Sequence, residues 1–74
     1  GDVQGTVTGI QLSEDGGKIE VDGRSYPLIR STQYWSKHSE LDANSVNVGD
    51  HVQLWLIGYQ AADEPQPVTQ VRVI

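Results

Sequence analysis

The stretch Lys18-Ile19-Glu20-Val21-Asp22-Gly23-Arg24-Ser25-Tyr26-Pro27-Leu28-Ile29 is written as a β-hairpin. Ile19 and Val21 alternate with charged neighbours, the period of a strand with one face buried. Asp22-Gly23 supplies the two positive-φ positions of a type I′ turn, because aspartate tolerates that region and glycine enters it freely. The return limb, Arg24 to Ile29, turns Tyr26 and Leu28 inward. Pro27 has no N–H to give a ladder, so it is expected at an open edge or a bulge.

Upstream, Val3 to Leu12 also alternates, but its apolar face changes: Val3, Gly5 and Val7 share one side, Ile10 and Leu12 the other. Such a switch needs an extra residue, and Gly9 marks the place for a bulge or sharp bend. Ser13 to Gly17 reads as a loop. Downstream, Ser31 to Asn47 loses the alternation; Tyr34, Lys37, His38 and Leu41 are spaced at three or four, which predicts a short helix or helical turn with Leu41 and Val46 as its anchors. His51 to Tyr59 is the most apolar strand, with Val52, Leu54 and Leu56 on its core face and His51, Gln53, Trp55, Ile57 and Tyr59 opposite. An acidic loop from Ala61 to Pro67 leads to a last strand, Val68 to Ile74, with Val71 and Val73 inward.

Three strands, a short helix and two more strands is the order of a five-stranded Greek-key OB barrel, in which the helical segment lies between strands three and four. An SH3-like barrel is the alternative, although about 18 residues between strands three and four is long for it. The expected core is Val7, Ile19, Val21, Tyr26, Leu28, Val52, Leu54, Leu56, Val71 and Val73. The chain is 74 residues, enough for a single domain spanning 1–74. It starts at Gly1 and contains no methionine, so it is expected to be excised from a larger protein.

Composition removes several chemistries. With no cysteine there is no disulfide scaffold, thiolate metal site or cysteine nucleophile. The longest apolar run, Leu54 to Ile57, is far short of a membrane span. Ten acidic against five basic side chains give this acidic domain a net charge of −5, which repels phosphate backbones at long range and disfavours nucleic acid as a partner.

Gly5-Thr6-Val7-Thr8, Ile19-Glu20-Val21-Asp22-Gly23 with Tyr26, Val48-Gly49-Asp50-His51-Val52 and Val68-Thr69-Gln70-Val71 together cover most of the chain. In these segments it resembles a bacterial domain-of-unknown-function family of small exported OB-like modules. The resemblance implies a place in a cell-envelope or secreted protein and brings no catalytic residue with it. Trp55 and Leu56 are bulkier than that pattern, and the loop carrying Tyr34-Trp35 is longer.

Phenylalanine is absent, so the aromatic inventory is Tyr26, Tyr34, Trp35, Trp55 and Tyr59. An outward stripe of Trp55, Ile57 and Tyr59, joined by Tyr34 and Trp35 from the adjoining loop, would be a surface for stacking on a protein or glycan partner. The competing reading has the 31–47 segment fold over Trp55 and bury it in a second small core. His38 and His51 with Glu40, Asp42 and Asp50 match no metal-ligand spacing, and Ser39 beside His38 lacks an orienting carboxylate. Glu14-Asp15 and Asp63-Glu64 read as solvating loop charges without the ligand spacing of a calcium loop. The expectation is thus a noncatalytic module with no cofactor, no metal and no membrane insertion. The alternative is an OB-type single-stranded nucleic acid binder, which requires Lys18, Arg24 and Arg30 to converge on one rim.

Overall fold

A computed structural model of the chain describes residues 2–57 and 67–74. The strands are β1 (Asp2–Ser13), β2 (Gly16–Val21), β3 (Arg24–Trp35), β4 (Glu40–Leu41), β5 (His51–Leu56) and β6 (Val68–Val73), with one 3-10 turn at Ala43–Ser45. Five of them close on themselves: β1 pairs with β2 and β5, β3 pairs with β2 and β6, and β5 pairs with β6. Every pairing is antiparallel except β3 with β6. The protein is all-β, a small barrel-like ring in the OB-like arrangement that the sequence predicts.

Two long strands make the closure possible, because each serves two neighbours in succession. β1 gives Asp2 to Thr6 to β5 and Val7 to Ser13 to β2. The change of partner falls at a register shift between Val7 and Gly9, which leaves Thr8 as the extra residue. Thr8 is held there by its hydroxyl, which donates to Glu20 Oε2 at 2.8 Å and accepts the Gly23 N–H at 3.1 Å. The adjoining turn has the expected backbone, with φ of 53° at Asp22 and 84° at Gly23.

β3 pairs with β2 from Arg24 to Ile29 and with β6 at Leu28 and, after a register shift, from Gln33 to Trp35. Pro27 faces Lys18 of β2 and stands one residue before Leu28, where the ladder to β6 begins, so its missing N–H breaks no bond on that side. The helical turn predicted within 31–47 is present only as the 3-10 turn Ala43–Ser45, and the first part of that segment, through Trp35, is strand. Thr32, Tyr34 and Trp35 are β-branched or aromatic, and the otherwise unpaired edge of β6 draws them into an extended conformation. Tyr34 consequently faces both Leu41 of β4 and Val71 of β6.

The core consists of Val7, Ile19, Val21, Leu28, Tyr34, Val46, Val52, Leu54, Val68 and Val71, with Tyr26, Leu56 and Val73 half-buried against it. Val46 and Leu41 anchor the connection to β5 as expected, the first buried and the second half-buried. That connection docks on the β1 bulge: the Val7 N–H donates to Asp50 O and the Gly49 N–H to Val7 O, both at 2.8 Å.

Candidate docking face

Alternation along three adjoining strands decides what the barrel shows to solvent. With Val52 and Leu54 inside, β5 turns Gln53 and Trp55 outward; with Val71 inside, β6 turns Gln70 and Arg72 outward; with Thr32 and Tyr34 inside, β3 turns Gln33 and Trp35 outward. The ladders then fix neighbours. Trp35 lies beside Arg72, Arg72 beside Gln53, and Gln53 beside Gln4 of β1; in the next row Gln33 lies beside Gln70 and Gln70 beside Trp55.

The two indoles on this face are oriented by different contacts. The guanidinium carbon of Arg72 sits 5.5 Å from the centroid of the Trp55 ring, a cation–π arrangement. The Trp35 Nε1–H donates to Gln33 Oε1 at 3.3 Å. Both rings are half-buried and neither belongs to the core. From strand spacing and rise, their Cα atoms are about 12 Å apart, two strands over and two residues along. A shallow hollow of about 350 Å³ lies beside Arg72, lined by Gln4, Lys37, Gln53, Arg72, Val73 and Ile74 and by neither indole.

The five aromatic and aliphatic residues singled out from sequence fare differently. Trp55 and Trp35 both take outward positions, on β5 and β3 with β6 between them. Tyr34 is corrected to a core residue: it is only 8% exposed, because β3 continues as a strand and points it at Val71. Burial also raises the pKa of its phenol above the ordinary value. Ile57 is half-buried just past β5, its N–H donating to Pro67 O at 3.0 Å. Tyr59 and the Asp63-Glu64 pair lie outside the described residues. The Trp55 ring is half-buried, with the Arg72 guanidinium over it.

Arg72, Gln33 and Gln70 are the contributors that the sequence reading missed. Alternation in the last strand placed Arg72 outward, but only the parallel β3–β6 register brings it between the two tryptophans. The basic residues of the hairpin do not converge. Arg24 stands opposite Val21, Lys18 opposite Pro27, and Arg30 lies past the Gly16–Ile29 pair, a spread of roughly 20 Å along the strands. Arg30 instead approaches Asp15 at 3.8 Å in an exposed ion pair.

Among the described residues, no three of His, Asp and Glu group as a metal site. Ser39 Oγ lies 3.2 Å from Ser36 Oγ, and Ser36 Oγ accepts the backbone N–H of His38 at 3.4 Å, the geometry of a hydrogen-bonded turn. His51 Nδ1 is 3.3 Å from Thr6 Oγ1 on the exposed surface. Among the described residues, no helix is long and apolar enough to cross a membrane. Compared with known protein families, curated proteins and solved structures, the chain gave no match.

Proposed function

We propose that this domain is a noncatalytic binding module that docks a protein or glycan through the outer face of β5, β6 and the end of β3. The observation that carries the reading is the placement of Trp35 and Trp55 on one solvent-facing sheet surface, with Arg72 between them. Core demand does not explain either ring, since Val52, Leu54 and Val71 already fill the interior of these strands. Indoles supply large contact area with few rotatable bonds, which is why tryptophan and arginine dominate the energetics of interfaces. The resemblance to exported bacterial modules supports a setting in a larger envelope or secreted protein.

A single-stranded nucleic acid is the second reading, favoured by the same row of ring, cation and ring, on which bases stack. The net charge of −5 and the separated Lys18, Arg24 and Arg30 weigh against it. The test is to select ligands from displayed peptides and from a glycan array, and to compare the wild type with Trp55→Ala. Ligands that lose binding in the variant and are indifferent to salt support docking on this face. Ligands that bind both proteins equally overturn it, and binding of oligo(dT) that weakens steeply with salt selects the nucleic acid reading.

A further inference from the structure

The chain contains two Asp-Gly dipeptides, Asp15-Gly16 and Asp22-Gly23, and each stands at a hairpin turn, the first between β1 and β2 and the second between β2 and β3. Aspartate followed by glycine is prone to spontaneous rearrangement of the backbone, because glycine carries no Cβ to obstruct closure of a five-membered ring by its own nitrogen. Both aspartates are exposed, so access to water does not separate them. Their hydrogen bonding does.

Asp22 is held on both sides of the bond that would rearrange. Its Oδ1 accepts the Thr6 N–H at 3.1 Å, and its own N–H donates to Thr6 O at 3.0 Å. The carboxylate lies so close over Gly5 that a Cβ there would overlap Oδ2. The Gly23 N–H, on the nitrogen that would attack, donates to Thr8 Oγ1 at 3.1 Å, and Thr8 is fixed in turn by its 2.8 Å bond to Glu20 Oε2. A carboxylate accepting a backbone N–H makes a charge-assisted bond, which must break before Cγ can reach Gly23. Asp15 has no such holder. Its side chain is 94% exposed, and among the described residues its carboxylate meets only the Arg30 guanidinium, at 3.8 Å, in a contact between two solvated groups that restrains little. Gly16 is paired in the sheet with Ser13 and Ile29, so the difference between the two sites lies in the carboxylate.

We propose that Asp15 is the site at which the folded protein converts aspartate to isoaspartate, and that Asp22 is protected from the same reaction. In the first step the Gly16 backbone nitrogen attacks Cγ of the Asp15 side chain in its carboxylic acid form. The N–Cγ bond forms, the nitrogen gives up its proton, and a carboxyl oxygen leaves as water, which closes a succinimide. Water then opens that ring. Cleavage of the N–Cγ bond restores aspartate, whereas cleavage between the Asp15 carbonyl carbon and the nitrogen leaves isoaspartate, with the chain running through Cβ and Cγ. One water leaves and one enters, so no oxidant or other reactant is needed and the mass is unchanged. The product lengthens by one carbon the short link, Glu14-Asp15, between the paired Ser13 and Gly16. The sheet has little slack to absorb it, since a Cβ at Gly16 would overlap the Leu28 carbonyl and one at Gly17 that of Gln11.

The test is incubation of the protein at neutral pH below its Tm beside a sample unfolded in urea, with isoaspartate quantified at each position by peptide mapping and electron-transfer fragmentation. Each site's rate in the folded protein is divided by its rate in urea, which removes the influence of neighbouring residues in the sequence. The ratio for Asp15 is expected to exceed that for Asp22 by about tenfold or more, the factor that one lost hydrogen bond represents. Equal ratios, or a larger one for Asp22, overturn the proposal, and so does a folded protein in which neither site converts while the unfolded chain does. Two variants probe the protection. Thr8→Val removes the acceptor of the Gly23 N–H, and Gly5→Ala displaces the Asp22 carboxylate from its place over Gly5. Each should raise conversion at Asp22 several-fold and leave Asp15 at its wild-type rate. A variant that is folded by circular dichroism and leaves Asp22 as slow as in wild type overturns the role given to that contact. The comparison of folded and unfolded wild type decides the proposal even if neither variant folds.

Discussion

Thr32 is tied to Val68 across 36 residues of sequence: its hydroxyl donates to the Val68 carbonyl at 2.6 Å and accepts the N–H of Ile29 at 2.9 Å. The bond sits at the seam where β3 has left β2 and is joining β6, between the Leu28–Val68 and Gln33–Gln70 pairs. Thr32 is 8% exposed, so groups left unpaired there find little water. Thr32→Val keeps the shape and removes both bonds, and it should cost about 1–3 kcal/mol. Urea denaturation measures this, and a midpoint equal to wild type would show that the seam is held by packing alone.

Leu54 is fully buried in the strand between β1 and β6, so truncation leaves a cavity that its β-sheet neighbours cannot easily collapse into. Leu54→Ala is expected to destabilise the domain by about 2–5 kcal/mol. For a domain of this size that is a large part of the total, and it should be visible as a substantial fall in Tm.

At Gly23 the backbone is at φ 84° and a Cβ would meet nothing within 4 Å, so any cost of substitution comes from the backbone and not from crowding. Gly23→Val should therefore lower stability by about 1 kcal/mol or more, and Gly23→Asn by clearly less, since asparagine visits that region. Equal melting temperatures for the two variants would contradict the turn.

Tyr34 gives the fold an alkaline limit. Its phenol is neutral at pH 7, and burial raises its pKa in the folded state above the unfolded value. Its contribution is complete below the unfolded pKa; between the unfolded and the folded pKa the unfolded chain releases its proton first, and stability falls as pH rises. Tyr34→Phe should flatten that alkaline decline, read as Tm against pH. A decline of unchanged slope would assign it to other groups.

With Trp35 replaced by phenylalanine, Trp55 alone reports in fluorescence. Its ring is half-buried with Arg72 above it, so acrylamide should quench it to an intermediate degree, and Arg72→Ala should increase the quenching. Complete shielding, or no response to Arg72→Ala, would contradict the described face.

Much of this was legible before any coordinates. Alternation at Ile19 and Val21, and at Val52 and Leu54, reports burial directly, because one face of each strand packs on the core and the other does not. Asp22-Gly23 encodes its turn locally. The end of β3 was not legible in this way: Thr32 and Tyr34 do alternate, but the spacing of Tyr34, Lys37, His38 and Leu41 imitates a helix, and the deciding partner, β6, lies more than 30 residues on. Val68 was missed as a core residue because it opens its strand beside a prolyl segment. For the same reason the docking face was half visible. Trp55 could be placed from its own strand, whereas the adjacency of Trp35 and Arg72 depends on a parallel register that neither segment contains.

That parallel contact also governs the order in which the molecule can come together. β1, β2 and β3 form a meander of near neighbours, but β6 must slot between β3 and β5, and until it does, both of those strands present unpaired backbone edges. The rate of folding is accordingly set by the arrival of the final segment rather than by the local hairpin, as expected where distant pairings dominate. Until Val68 to Val73 is in place the facing edges of β3 and β5 are open to pairing with another chain, so a substitution that weakens β6 exposes the domain to aggregation as well as to loss of equilibrium stability.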